Sequence, residues 1–168
     1  MEAPCILIIE DDRDNSDLMR FIMERQGYEV LEAYDGREGL EMARAYSPHL
    51  VLLDLAMPEV DGWTVIRELK ADPATCQIKI VVVTVRSLTE DRQRAVDAGC
   101  DAYITKPIHY VELLTRVESL MKIKELHERL VETQKLEMLA QIAVSVNHEI
   151  NNPLCAITAN AEMLRMTL

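Results

Sequence analysis

At 168 residues the chain has room for one ordinary domain and an appendage. Apolar residues make up 49% of it, ample for a core, and aromatics only 4%, a balance suited to aliphatic helices packed on a parallel sheet. The net charge of -11 argues against nucleic acid as a direct partner, because phosphate binding needs a basic face, yet it leaves divalent cations open. The acidity is uneven: residues 1–121 carry 23 acids and 13 bases, residues 122–168 carry 6 and 5. Cys5, Cys76, Cys100 and Cys155 show no C-x-x-C spacing, so reduced thiols are expected rather than zinc or disulfides. Residues 1–4 are too short for a signal peptide, and no apolar run reaches the roughly 18 residues that span a bilayer. The expectation is a cytoplasmic chain with no membrane partner.

In chain order, Cys5–Ile9 is an apolar run of strand length, ended by Glu10-Asp11-Asp12. Leu18, Phe21, Ile22 and Arg25 follow at helical spacing, and Gly27 stops that helix. Tyr28–Ala33 alternates as a second strand, and Leu40, Ala43 and Ala45 mark a helix that ends before Pro48. Leu50–Leu53 is purely apolar and stops at Asp54, with Pro58 and Asp61-Gly62 marking the loop beyond. Val65, Ile66 and Leu69 place a helix over about 62–71. Ile80–Thr84 reads as the fourth strand, 88–98 as a helix, Ala102–Thr105 as the fifth strand, and Val111, Leu113, Leu114 and Val117 open a fifth helix. Five strands alternating with five helices is the pattern of a doubly wound parallel sheet.

The strand ends carry the chemistry. The first stops in Glu10-Asp11, the third in Asp54, the fourth in Thr84 and the fifth in Lys106. In a parallel sheet these ends share one edge, where open α/β folds place their ligands. Clustered carboxylates repel one another unless a cation joins them, and hard oxygen donors favour magnesium over zinc. With Mg2+ and Lys106 neutralising charge and Thr84 donating a hydrogen bond, Asp54 is equipped as a nucleophile that forms an acyl phosphate.

Residues 5 to about 121 resemble the receiver domains of bacterial two-component response regulators. The resemblance rests on the acidic pair, Asp54-x-x-Met57-Pro58-x-x-Asp61-Gly62, the Thr84 strand end and Tyr103-x-x-Lys106-Pro107. It implies a flavodoxin-like sheet of order 2-1-3-4-5, with Asp54 accepting phosphate from a phosphohistidine on a cognate histidine kinase or phosphotransfer protein. It further implies Mg2+ held by Glu10, Asp11, Asp54 and the backbone carbonyl of Ala56, with Asp11 a direct ligand and Glu10 acting through water. Lys106 would pair with the phosphoryl group ahead of a cis Pro107. Thr84 and Tyr103 would move together as a switch that remodels the face of the fourth helix, fifth strand and fifth helix. Asp12, the extra acid, reads as a local cap or loop residue rather than a metal ligand.

From about His109 to Leu139 there is no Gly or Pro, and apolar residues recur every three or four positions, so the fifth helix is expected to run on. Ile123, Leu126 and Leu130 form a short seam. It is followed, after a change of phase near Thr133 that resembles a stutter, by Leu136, Leu139, Ala143, Val146 and Ile150. Such a stripe needs a partner, and a parallel homodimer is the simplest. Pro153 withholds a donor from the Glu149 carbonyl, one turn beyond His148. Residues 136–164, through His148-Glu149-Ile150-Asn151-Asn152-Pro153-Leu154, resemble the phosphoacceptor helix of histidine kinases. That resemblance implies phosphorylation of His148, with Glu149 as acid–base partner and Asn152 as the residue that orients water. No nucleotide-binding glycine motif is present, so the chain as written is expected to lack ATP binding and to be either a fragment of a larger hybrid kinase or a natural truncation acting as a dimeric phosphotransfer module.

The expected organisation is a receiver over 1–121, a helical linker over 122–135 and an incomplete phosphoacceptor helix over 136–168. Two alternatives stand beside it. One is a magnesium-dependent aspartyl-phosphate phosphatase, disfavoured because Ala56 occupies the place of a second catalytic aspartate. The other is a degenerate receiver serving only to dimerise.

Overall fold

The computed structural model describes residues 3–85 and 89–166, with side chains described up to residue 147. Five strands, β1 (Cys5–Ile9), β2 (Glu29–Ala33), β3 (Leu50–Leu53), β4 (Lys79–Thr84) and β5 (Ala102–Thr105), alternate with five helices. The helices are α1 (Arg13–Arg25), α2 (Gly36–Tyr46), α3 (Gly62–Ala71), α4 (Thr89–Asp97) and α5 (Tyr110–Met166). The strands form one sheet in the order β2-β1-β3-β4-β5, and every pairing is parallel.

Both faces of the sheet are covered, which is why its central strands read as continuous apolar runs rather than alternating ones. Alternate residues divide between two cores, as the twofold period of a strand demands. Leu7, Ile9, Val51, Leu53, Ile80 and Val82 face one core with Leu40 and Ala43 of α2 and Val65, Ile66 and Leu69 of α3. Ile6, Ile8, Leu50, Leu52, Val81 and Val83 face the other with Met19, Ile22 and Met23 of α1 and Leu113 and Val117 of α5.

The buried face of α1 differs from the one expected. Leu18 and Phe21 are 44% and 57% exposed, while Ser16, Met19, Ile22 and Met23 turn inward. The two candidate stripes lie about one residue, or 100°, apart on the helix, and docking against β1 selects the methionine-bearing one. Likewise Ala45 of α2 and Val111 of α5 point outward.

Three of the helices begin alike. Asp12, Asp35 and Asp61 each accept a hydrogen bond from the backbone N–H three residues on, at 3.0, 2.8 and 2.8 Å, capping α1, α2 and α3. Asp12 is therefore an N-cap. The chain divides into two compact units, Met1–Ile123 and Lys124–Leu168. The second is helical, and in it Leu126, Leu130, Val131, Leu136, Met138, Leu139, Ile142, Val144 and Val146 are all exposed. Among the described residues no helix is long and apolar enough to cross a membrane, and Cys5, Cys76 and Cys100 are free thiols.

Candidate functional site

The C-terminal edge of the sheet gathers four charged side chains. In register, Ile9 of β1 lies between Ala33 of β2 and Leu53 of β3, so the residues that follow these strands emerge side by side. Two bonds continue the ladder past the strand ends: Glu10 N–H donates to the Ala33 carbonyl at 3.1 Å, and Asp54 N–H to the Ile9 carbonyl at 3.0 Å. On the other side of β3, Thr84 is fully buried at the end of β4, opposite Thr105 of β5. Its carbonyl accepts from the Lys106 N–H at 2.8 Å, which fixes where that lysine leaves the sheet. The Lys106–Pro107 peptide is cis.

Lys106 reaches back across 52 and 96 residues of sequence. Its Nζ donates to Asp54 Oδ2 and to Glu10 Oε2, each at 2.7 Å. Asp54 Oδ1 accepts from the Ala56 N–H at 3.0 Å, so the carboxylate is held at both oxygens. Glu10, Asp11 and Asp54 each bring an oxygen within 4.8 Å of the others, Glu10 and Asp54 buried and Asp11 exposed. Three carboxylates against one ammonium leave the edge electronegative, and every donor in the group is a hard oxygen. Such a set suits a divalent cation of the magnesium kind, entering from the exposed Asp11 side.

The ionisation of the site follows from its burial. Burial pushes the Glu10 carboxyl up to about 7; the Lys106 hydrogen bond opposes this and the Asp54 charge adds to it. Burial alone would lower the Lys106 ammonium, but its hydrogen bonds to Asp54 and Glu10 outweigh that and raise it. Lys106 thus stays charged and acts as the counter-ion of Glu10 and Asp54.

Residues 6–118 match the response regulator receiver domain family. The chain belongs to it. This receiver is 40% identical over 119 residues to the DNA-binding dual master transcriptional regulator RpaA of Synechocystis, covering 71% of the chain and 49% of RpaA. The chain therefore spans about half the length of that relative. It is 36% identical over 114 residues to the polar-differentiation response regulator DivK of Brucella anthropi, covering 68% of the chain and 93% of DivK. Among solved structures it is similar to the receiver domain of the sensor histidine kinase PA1611 from Pseudomonas aeruginosa, which has a magnesium ion coordinated in its active site cleft. That likeness has a TM-score of 0.67 and 26% identity, over 72% of the chain and 99% of the other.

Of the residues singled out in sequence, Glu10, Asp11, Asp54 and Lys106 form one cluster, and Thr84 ends the strand that anchors Lys106. Tyr103 is buried in the core on the α2–α3 side of the sheet, with the Arg92 guanidinium 5.6 Å from its ring centre. His148, Glu149 and Asn152 lie outside the residues whose side chains are described. Gly62, which the sequence marks as part of a loop and of the Asp54 motif, also has a spatial role in the receiver. A Cβ at that position would collide with the backbone carbonyl of Asp54 and come within 2.7 Å of the Leu55 Cα. The segment just after β3 and the start of α3 approach so closely that only hydrogen fits between them.

Proposed function

We propose that the chain is a phosphoryl-accepting signalling module in which Asp54 takes a phosphoryl group from a phosphohistidine with the help of Mg2+. The observation that carries this is the Lys106 bridge, which joins Asp54 to Glu10 in a cluster open to cations at Asp11. The magnesium seen in the PA1611 receiver supports the choice of metal. Glu10, Asp11, Asp54 and the Ala56 carbonyl would hold it, and the metal would supply charge neutralisation at the phosphoryl oxygens. The Asp54 carboxylate attacks phosphorus, an O–P bond forms, and the P–N bond of the donor breaks. Its electron pair stays on the imidazole nitrogen, which takes up a proton. Lys106, already beside Asp54, turns to the new phosphoryl oxygens, and Thr84 donates to another. Acetyl phosphate with Mg2+ should label the parent chain with one base-labile acyl phosphate. Asp54→Ala should take up none; equal labelling of that variant would refute the assignment.

The second part of the proposal concerns residues 136–168. The heptapeptide from His148 to Leu154 supports reading them as a histidine-kinase phosphoacceptor helix, joined to the receiver by a linker over 122–135 and dimerised through exposed apolar side chains such as Leu126 and Leu139. Phosphorylation of Asp54 would then alter the Thr84–Tyr103 side of the receiver and bias the helix that carries His148. The partners would be a cognate kinase or phosphotransfer protein. Supplied with ATP and a separate kinase ATP-binding domain, His148 should gain an acid-labile, base-stable phosphate. His148→Ala should lose it, and labelling that survives this substitution would sink the reading.

A further inference from the structure

We propose that Gly36, on a helix that gives the site no ligand, is a positioning residue for the loop after Asp54. Gly36 opens α2, buried and capped by Asp35. Its backbone does not require glycine, since the glycines with positive φ are Gly27 and Gly99. What it provides is space. A Cβ on Gly36 would lie 2.5 Å from the Val60 carbonyl oxygen and 2.9 Å from Val60 Cγ1. Real Cβ atoms do not come so near a carbonyl, so Val60 would have to move.

Val60 belongs to a segment with little freedom to do so. Glu59 just before it has φ +63°, a left-handed conformation that a side chain resists. Asp61 just after it caps α3, and Gly62 lies directly against Asp54 and Leu55. At the other end of the loop, the Ala56 N–H is tied to Asp54 Oδ1. A push at Val60 is thus transmitted along five residues to Ala56, whose carbonyl is the proposed backbone ligand of Mg2+. The contact of α2 with the loop sets that carbonyl, and the absent side chain of Gly36 sets the contact. This inference rests on the reading of the site given above.

The test uses the full chain with Trp63, next to Gly62, as a fluorescent reporter of Mg2+ binding. Gly36→Ala is expected to weaken Mg2+ roughly tenfold, as displacing the support behind a ligand typically does. Acetyl phosphate labelling should slow at low Mg2+ and recover at saturating Mg2+. The control is Gly27→Ala, which strains a glycine at φ +83° with nothing within 4 Å of the new Cβ. It should lose stability in urea with Mg2+ affinity unchanged. A Gly36→Ala affinity within twofold of that control overturns the inference. Should Gly36→Ala fail to fold, Val60→Ala loosens the same contact from the loop side by trimming Cγ1, without adding a clash, and should weaken Mg2+ severalfold; unchanged affinity there overturns it equally. A parent chain that neither binds Mg2+ nor labels would instead bring down the reading of the site, and this inference with it.

Discussion

Lys106 is the residue whose removal tells most about the carboxylate cluster. Its ammonium is the counter-charge that allows the buried Glu10 and Asp54 carboxylates to face each other. Breaking a buried pair by deleting one partner typically costs about 3–5 kcal/mol, since the remaining charge is stranded. Lys106→Gln is therefore expected to lower stability by about 3 kcal/mol in Mg2+-free urea unfolding. Added Mg2+ should restore much of it, because the cation replaces the lost charge. A metal-free loss below about 0.5 kcal/mol would mean that the bridge contributes nothing, as for many exposed pairs. Gly62→Ala acts differently: it forces β3 and α3 apart, and its deficit should persist in Mg2+.

Among the elements, α3 begins with Asp61, whose carboxyl is held below the usual range first by the Thr64 backbone N–H. Its folded pKa is depressed, so its contribution is present above the ordinary aspartate range and fades as pH falls. Asp61→Ala should cost about 1 kcal/mol at pH 7 and progressively less toward pH 3, read from urea midpoints. Cys100, just ahead of β5, shows the opposite sign. Burial pushes its thiol up from 9.0 to about 11, with Asp101 adding to the rise. The neutral thiol is the stable form in the fold, so its contribution is complete below pH 9 and is lost as pH climbs through 11. Cys100→Ala should flatten the alkaline fall of stability between those values relative to the parent. Helix α4 is tied on two sides by arginine–aromatic contacts, Arg92 over Tyr103 and Arg94 over Trp63, at 5.6 and 4.4 Å. This links it to β5 and to the first turn of α3.

For the molecule as a whole, the exposed apolar side chains of residues 124–147 call for a covering surface. Ile123, Leu126 and Leu130 mark one stripe and Leu136, Leu139 and Val146 another, while Val131, Met138, Ile142 and Val144 add exposed apolar surface between them. A helix apolar on so many sides is stable in water only when other helices surround it. The mass of the full chain in solution should accordingly be that of a dimer or larger at micromolar concentration. Leu126→Lys combined with Leu139→Lys should bring it to a monomer while leaving acetyl phosphate labelling of Asp54 intact. A monomeric parent would remove the basis for self-association.

The amino-acid sequence determined the order of elements, the parallel sheet and the edge to which Glu10, Asp11, Asp54, Thr84 and Lys106 belong. These were legible because a strand buried on both faces must be apolar throughout and can turn polar only where it leaves the sheet. Only the tertiary structure decided which stripe of α1 is buried, because Leu18 and Met19 are both apolar and the choice depends on how the helix meets β1. It alone showed why Gly36 and Gly62 are glycines. Each follows a capping aspartate at the start of a helix, yet what each requires is clearance from another segment of the chain, at Val60 and Asp54. Distances between segments come from packing, and no local pattern in the chain encodes them.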